Sequence, residues 1–423
     1  MPPLPPLPTA TRRDFLSTGL AGGAILALPP SLYRRAFAEV PPSETGRLGF
    51  IGVGLQGTAN LKALLKLPAA SVAAVCDVDS KHLAAANALA PKAAGHADYR
   101  KLLDDKGIDA VVVTTPDHWH ALATTAACAA GKDVYCEKPL SLTIDDGKAM
   151  VAAARKHKRV VQTGTQQRSS AEFRRACELV RGGAIGKVTS VKVGLPAPNF
   201  AGPAVPNADA PANLDYERWL GPAPLKPYNA KHVHYLFRFF WDYSGGQQTN
   251  FGAHHLDIAQ WGLGRDESGP TTVTAKARYH KDGWYEVPEW TEITYTYDDG
   301  VVMTCGQGPP GGMTFVGEKG TIFVTRGKLT ADPAEVLKAE VAVKLPVSTS
   351  HHGNWLDCVK SRKRPVADVA IGHRSATVCH LGNLAVRTGR KITWDPVAEA
   401  VVGDAEAAAM TSRPYRSPWK LES

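Results

Sequence analysis

The run "LGFIGVGLQG", residues 48–57, decides the fold. It begins as an apolar strand and ends in G-x-G-x-x-G, with glycines at Gly52, Gly54 and Gly57. Glycines there permit a tight turn and bring the backbone close to a pyrophosphate. The helix that follows offers unpaired amides and the positive end of its dipole. Alone the motif is weak. At a strand end, opening a helix and beginning a domain, it reads as a dinucleotide site rather than a loop glycine cluster. Leu55 and Gln56 inside the loop are expected cofactor contacts.

Outward from it, "SVAAVCDVD" (71–79) reads as the next strand. Asp77 at its end can accept hydrogen bonds from ribose hydroxyls, and Asp79 adds a second negative charge. Both would repel a 2′-phosphate, so NAD is expected over NADP, although Lys81 is close by. "DAVVVTT" (109–115), "DVYCEK" (133–138) and "RVVQTG" (159–164) read as further strands, with helical stretches between. Near-continuous apolar strands alternating with helices predict a parallel sheet covered on both faces. "TTPDHWH" (114–120) and "CEKPLS" (136–141) lie at carboxyl ends of strands, where open α/β sheets bind ligands. They bring Thr115, Pro116, His120, Glu137 and Lys138 to the expected cofactor crevice. Lys138 precedes a proline, which holds its backbone out of helix. It is either an acid/base group with a pKa lowered by desolvation, or a surface lysine at a turn.

G-x-G-x-x-G, C-D-x-D, T-P-x-x-x-H and E-K-P (Glu137, Lys138, Pro139), in that order, resemble the Gfo/Idh/MocA family of glucose-fructose oxidoreductases and inositol dehydrogenases. The resemblance runs from about residue 46 to 395. It implies an α/β protein: an N-terminal Rossmann domain (46–165), then a C-terminal α/β domain (166–395) with a large, mostly antiparallel, open-faced sheet. Residues 396–423 are left as a tail. It further implies an active-site Lys138 and a cis Lys138–Pro139 bond. A second-domain helix in this family carries D-x-x-x-H or D-x-x-x-Y; here Asn250 stands at the Asp position and His254 at the His position. Asn250 departs from that pattern and puts the usual His/Asp proton relay in doubt.

The segment concerned is "TNFGAHHLDIAQWGLG" (249–264). At about 100° per residue, Asn250, His254, Asp257 and Trp261 fall within about 60° on a helical wheel, while His255 points elsewhere. His254 is therefore the expected companion of Asn250 and Asp257, either in catalysis or in a buried structural hydrogen bond. "YLFRFFWDYSGG" (235–246) offers Arg238, Trp241 and Tyr243, either to stack on and bond a sugar or to fill a core. "GTQQRS" (164–169) places Gln167 near the cofactor and Arg168 near the substrate, or is ordinary linker polarity. The pairs His118/His120, His232/His234 and His351/His352 lack zinc-site spacing, and no metal is expected.

The remainder fits a sheet: 271–280, 291–305 and 320–327 alternate as strands, with Asp299-Gly300 as a hairpin turn. "HHGNWLDCVKSRKRP" and "GHRSATVCHLGNLAVRTGR" read as closing helices. An open sheet face predicts a homo-dimer or tetramer.

The N-terminus reads as an address. "TRRDFLSTGLAGGAILALPP" (11–30) and the A-x-A site at 36–38 resemble a twin-arginine signal peptide over 1–38, followed by a linker at 39–45. An uncleaved N-terminal helix is the alternative. Removing 1–38 takes away four arginines and one aspartate from 49 basic and 40 acidic residues, leaving a net charge of +6. That mild balance, with no basic stripe carrying aromatics, argues against nucleic acid. No apolar run reaches the roughly 18 to 20 residues that span a bilayer. Seven scattered cysteines contain no C-x-x-C, which argues against a zinc ribbon or thioredoxin-like motif.

The expected chemistry is hydride transfer between a sugar, glycoside or cyclitol carbon and NAD, with Lys138 and His254 as the acid/base pair, assisted by Asn250 and Asp257. Export to the periplasm would favour a cofactor that is retained and recycled. A redox-neutral glycoside hydrolase working by oxidation and elimination is the alternative enzyme. A sugar-binding protein with a vestigial cofactor site is the non-enzyme alternative.

Overall fold

The structure, a computed structural model, describes residues 45–421 except 201 and 341. The expected signal peptide lies outside the described residues. Those residues fall within one compact unit.

The first sheet contains β1 (Gly46–Ile51), β2 (Ala70–Cys76), β3 (Ala94–His96), β4 (Ala110–Val113), β5 (Asp133–Cys136) and β6 (Val161–Thr163). Their order is β3-β2-β1-β4-β5-β6 and every pairing is parallel. The order reverses between β1 and β4, which opens a crevice at the carboxyl ends. β4 and β5 are buried at every position. β3 escaped the sequence pattern because it is a three-residue edge strand, Ala-Gly-His, with no buried side chain.

Chain from both halves of the sequence covers this sheet. On one face, Leu61 and Leu64 of the helix Leu55–Leu64 share a core with Trp355 of the helix His351–Ser361. Trp355 is 0% exposed and meets Tyr135 edge-on at 5.7 Å. On the other face, Val369 and Ala376 of the helix Val369–Thr388 join the core of the helices His120–Ala129 and Ile144–Lys156. The two expected closing helices therefore return to seal the first sheet.

The second sheet has nine strands: β7 (Val188–Gly194), β8 (Thr272–Arg278), β9 (Trp290–Thr296), β10 (Val302–Gly306), β11 (Gly312–Gly317), β12 (Gly320–Thr325), β13 (Lys328–Asp332), β14 (Ile392–Asp395) and β15 (Ala400–Val402). Their order is β13-β12-β11-β7-β10-β9-β8-β14-β15, and β7–β10 is its parallel pairing. Gly300, at φ 86°, makes the expected turn between β9 and β10. One face buries Val191, Ile293, Met303 and Phe315 under the helices Ala171–Arg181 and Gly252–Leu263. Within the expected tail, 396–423, the described residues up to 421 are part of the fold: they supply β15 and continue to Trp419, which meets Trp119 at 4.8 Å.

Gly372 marks the seam between the halves. A Cβ there would sit 1.9 Å from Thr163 Oγ1 and 2.7 Å from Thr163 Cβ at the end of β6. Gly372→Ala is expected to lower stability in urea by about 1–3 kcal/mol through overpacking. An unchanged unfolding midpoint would show that the seam has slack.

Candidate active site

The glycine loop makes a cradle that side chains would fill. Gly52 takes φ 84°, and a Cβ on Gly57 would lie 2.1 Å from Gly52 O. Leu55, 77% exposed, opens the helix there. Asp77 Oδ2 accepts from Val53 N at 2.8 Å and Oδ1 from Asp79 N at 2.9 Å, so the carboxylate is held at the end of β2. Asp79 is spent differently: it caps the helix Ser80–Leu89 and accepts from Asn213.

A cavity of about 390 Å³ runs from Gly52, Gly54, Leu55 and Gln56 past Asp77, Thr115 and Pro116 to Glu137, Lys138 and Arg238. Arg218, Trp219 and Trp419, none of them anticipated, also line it. Glu137 braces the crevice by accepting from Asn60 at 3.0 Å and Gln56 at 3.2 Å. These groups fit NAD: a backbone cradle for phosphates, a fixed carboxylate for ribose and a lysine at the far end.

His120 is not among the lining residues. Its ring nitrogens face Pro139 O at 2.8 Å and Thr115 O at 2.9 Å, tying two crevice turns together. Two carbonyl partners suit a doubly protonated ring. Burial opposes that charge, but Cys136, Asp117 and the carbonyl of Pro139 raise the pKa to about 10.

The Lys138–Pro139 bond is cis. Lys138 Nζ donates to Asn250 O and Asn250 Oδ1, both at 3.1 Å. Asn250 Nδ2 in turn donates to Gln247 Oε1 at 2.9 Å, and Gln247 to Ala197 O at 3.0 Å. The chain of bonds aims the amide oxygen, not its NH2, at the lysine. Asn250 ends the helix Gly246–Asn250, and Phe251 joins it to the next helix in helical conformation. That near-continuity keeps His254 one turn beyond Asn250.

Burial holds the Lys138 ammonium below its usual pKa; Arg238 and Arg326 add to the shift, while Glu137 and Asp117 oppose it. Burial, then Lys138 and Arg326, push His254 well below the ordinary histidine range. Its Nδ1 has no hydrogen-bond partner among the described residues. His255 turns away and meets Gly194 O at 3.0 Å.

Several expected site residues lie elsewhere. Arg168 Nε donates to Asp257 at 2.8 Å and Arg168 Nη2 to Asp266 at 2.7 Å. Ser375 also donates to Asp257, at 2.7 Å. Arg168 and Asp257 are fully buried and saturated, so neither is placed to meet a substrate or relay protons for His254. Gln167 is not at the cofactor crevice; it donates to His254 O at 3.2 Å and accepts from Arg326 Nε at 3.2 Å. Tyr243 is 0% exposed, packed against Trp219 and His118. Trp241 lines a separate cavity, where Arg387 stacks on it at 5.2 Å. Among the described residues, Asp79, His82 and His234 bring three possible metal-ligand atoms within 4.8 Å of one another. The carboxylate of Asp79 is already committed to helix amides and Asn213.

Two family models match along the chain. Residues 46–165 match the NAD-binding Rossmann fold of the oxidoreductase family, and residues 200–421 match its C-terminal alpha/beta domain.

The chain belongs to the Gfo/Idh/MocA oxidoreductase family.

It is thus an NAD-binding oxidoreductase, and the second family model takes in the C-terminal segment with Trp419. It is 36% identical over 183 residues to inositol 2-dehydrogenase 1 of Saccharopolyspora erythraea, covering 42% of this chain and 54% of that one. It is 33% identical over 158 residues to a glycosyl hydrolase family 109 protein of Shewanella pealeana, covering 32% and 35%. The chain thus spans about half or less of these relatives. The WlbA dehydrogenase of Bordetella pertussis, solved with NADH and UDP-GlcNAcA, shares the fold at TM-score 0.65 and 20% identity, over 83% of this chain and 99% of that one.

Two substitutions separate the structural pair from the lysine contact. Asp257→Ala takes from the buried Arg168 guanidinium its fully buried carboxylate partner and is expected to cost about 3–5 kcal/mol in denaturant unfolding. A loss under about 1 kcal/mol would mean that Asp266 alone suffices. Asn250→Asp sets a carboxylate against Lys138 Nζ and raises its pKa. In the direction of alcohol oxidation, where Lys138 must be unprotonated, the acidic limb of the kcat/KM profile is expected to move up by about 1–3 pH units. An unmoved profile would show that Lys138 ionisation does not control turnover.

Proposed function

We propose that this oxidoreductase moves a hydride between a hydroxyl-bearing carbon of a sugar, glycoside or cyclitol and a tightly held NAD. One observation carries the reading: Lys138, at the inner end of the crevice, is depressed in pKa by burial and is held by an amide oxygen rather than a carboxylate. An ammonium without a carboxylate partner gives up its proton more readily than an ion-paired one. Lys138 Nζ then takes the hydroxyl proton as the alcohol is oxidised and returns it in the reverse direction. Asn250 Oδ1 orients Nζ but cannot itself accept a proton. His254, neutral and with Nδ1 unpartnered, is suited to a hydrogen bond with a neighbouring hydroxyl. NAD, when bound in the crevice, supplies the hydride acceptor.

We also propose twin-arginine export and a retained cofactor, since an exported enzyme has no ready supply of fresh NAD. The open face of the nine-stranded sheet is the surface a second copy would cover. NAD-free purified protein would count against retention, and a monomer by light scattering against self-association. A redox-neutral glycoside hydrolase remains the second reading, favoured by the likeness to the family 109 protein.

The deciding experiment mixes purified protein with free sugars and, separately, with aryl glycosides. Spectral cycling of the nicotinamide with free sugars alone supports the oxidoreductase. Aglycone release without net reduced cofactor supports the hydrolase. Lys138→Ala is expected to cut turnover by roughly 10²-fold or more in either case; intact turnover would remove Lys138 from the chemistry.

A further inference from the structure

Arg326 is an exposed arginine close to the acid/base contact. Arg238 and Arg326 act electrostatically on Lys138, and Lys138 and Arg326 act on His254. Arg326 stands on the hairpin between β12 and β13, and its guanidinium lies 5.6 Å from the Phe251 ring. That ring sits edge-on 6.1 Å from His254. Nε of Arg326 is fixed by Gln167 Oε1, whose other end holds the His254 turn. Among the described residues, Nη1 and Nη2 of Arg326 have no hydrogen-bond partner, and neither Arg326 nor Arg238 forms an ion pair with a carboxylate.

The nearby acids Glu137 and Asp117 offset part of the positive charge at Lys138, but neither pairs with Arg326. Asp117 accepts from Ser244 at 2.5 Å, and Glu137 accepts from Asn60, Gln56 and the Lys138 amide. At the position where the family resemblance leads one to expect an aspartate, Asn250 brings no charge. A neutral His254 does not offset the cations. An arginine held by Nε, with two parallel N–H groups left over, matches an anion that offers two oxygens.

We propose that the substrate is an anionic sugar whose carboxylate or phosphate ester is received by Nη1 and Nη2 of Arg326 while its reacting hydroxyl meets Lys138. This rests on the reading of the same site as a sugar oxidoreductase. Arg326 is then a specificity-determining residue rather than a catalytic one.

Calorimetry on the NAD-loaded protein tests it with D-glucuronate, D-glucose 6-phosphate and D-glucose, and with the galacto series. At least one anionic sugar is expected to bind roughly 10-fold or more tightly than its neutral counterpart. A uronate preference assigns a carboxylate, a phosphate preference a phosphate ester. Arg326→Ala should abolish the preference, weakening anionic-sugar binding far more than neutral-sugar binding, and Arg326→Lys should keep part of it. Equal binding of neutral and anionic sugars by the unaltered protein overturns the proposal whatever the variants do, as does an equal loss for both classes in Arg326→Ala. Absorbance of reduced nicotinamide, read in parallel, keeps the two readings apart. A uronate that binds tightly but is never oxidised counts against the oxidoreductase reading and leaves the anion site standing. Oxidation of glucose at equal affinity does the reverse.

Discussion

Arg168 is a cation with almost no access to water, and its neutralisation sets the geometry of the site. A buried charge costs several kcal/mol unless it is matched by an opposite charge in good geometry. Arg168 lies just past β6, where the chain leaves the first sheet. Asp257 answers it from the helix Gly252–Leu263, and Ser375 on the returning helix Val369–Thr388 completes the carboxylate. Three elements from distant parts of the chain are thus locked at one point. His254 lies one turn from Asp257, and Asn250 one turn further, facing Lys138. The ion pair acts as a brace, and the acid/base contact stands on it.

The Lys138 environment follows from that brace. An aspartate against Nζ would stabilise the ammonium, whereas an amide orients it without charge. Gln247 removes the rotational ambiguity of Asn250 by occupying its NH2 group. Near this contact stand the cations Lys138, Arg238 and Arg326 and the acids Glu137 and Asp117, while Asp77, Asp79 and Asp98, with Arg218, line the ribose end of the cavity.

Much of the nucleotide half was legible because its signals are local. Apolar runs of strand length, glycines at fixed offsets and an aspartate at a strand end each act through their own backbone. Helical phase also separated His254 from His255 without any tertiary information. The same phase argument misled for Asp257. It placed the carboxylate on the right stripe, but a stripe is several turns long, and Asp257 meets a buried arginine below the site. Trp241 and Tyr243 failed for a related reason: an aromatic run carries no sign of which rings fill a core. β3 failed because a short edge strand has no pattern. Arg326 and Trp419 come from a hairpin tip and a C-terminal segment, where composition is silent about what lies beneath.

By itself, then, the sequence determined the Rossmann half, the NAD crevice and the pairing of Asn250 with His254 on one helical face, because spacing along a chain dictates turns, phase and strand ends. Only the tertiary structure decided which charges are sealed and which are open. Arg168 and Asp257 neutralise each other in the core, while Lys138 and Arg326 stay without a carboxylate partner beside His254. That outcome depends on residues roughly 90 to 160 positions apart meeting in space, and no local pattern encodes such distances.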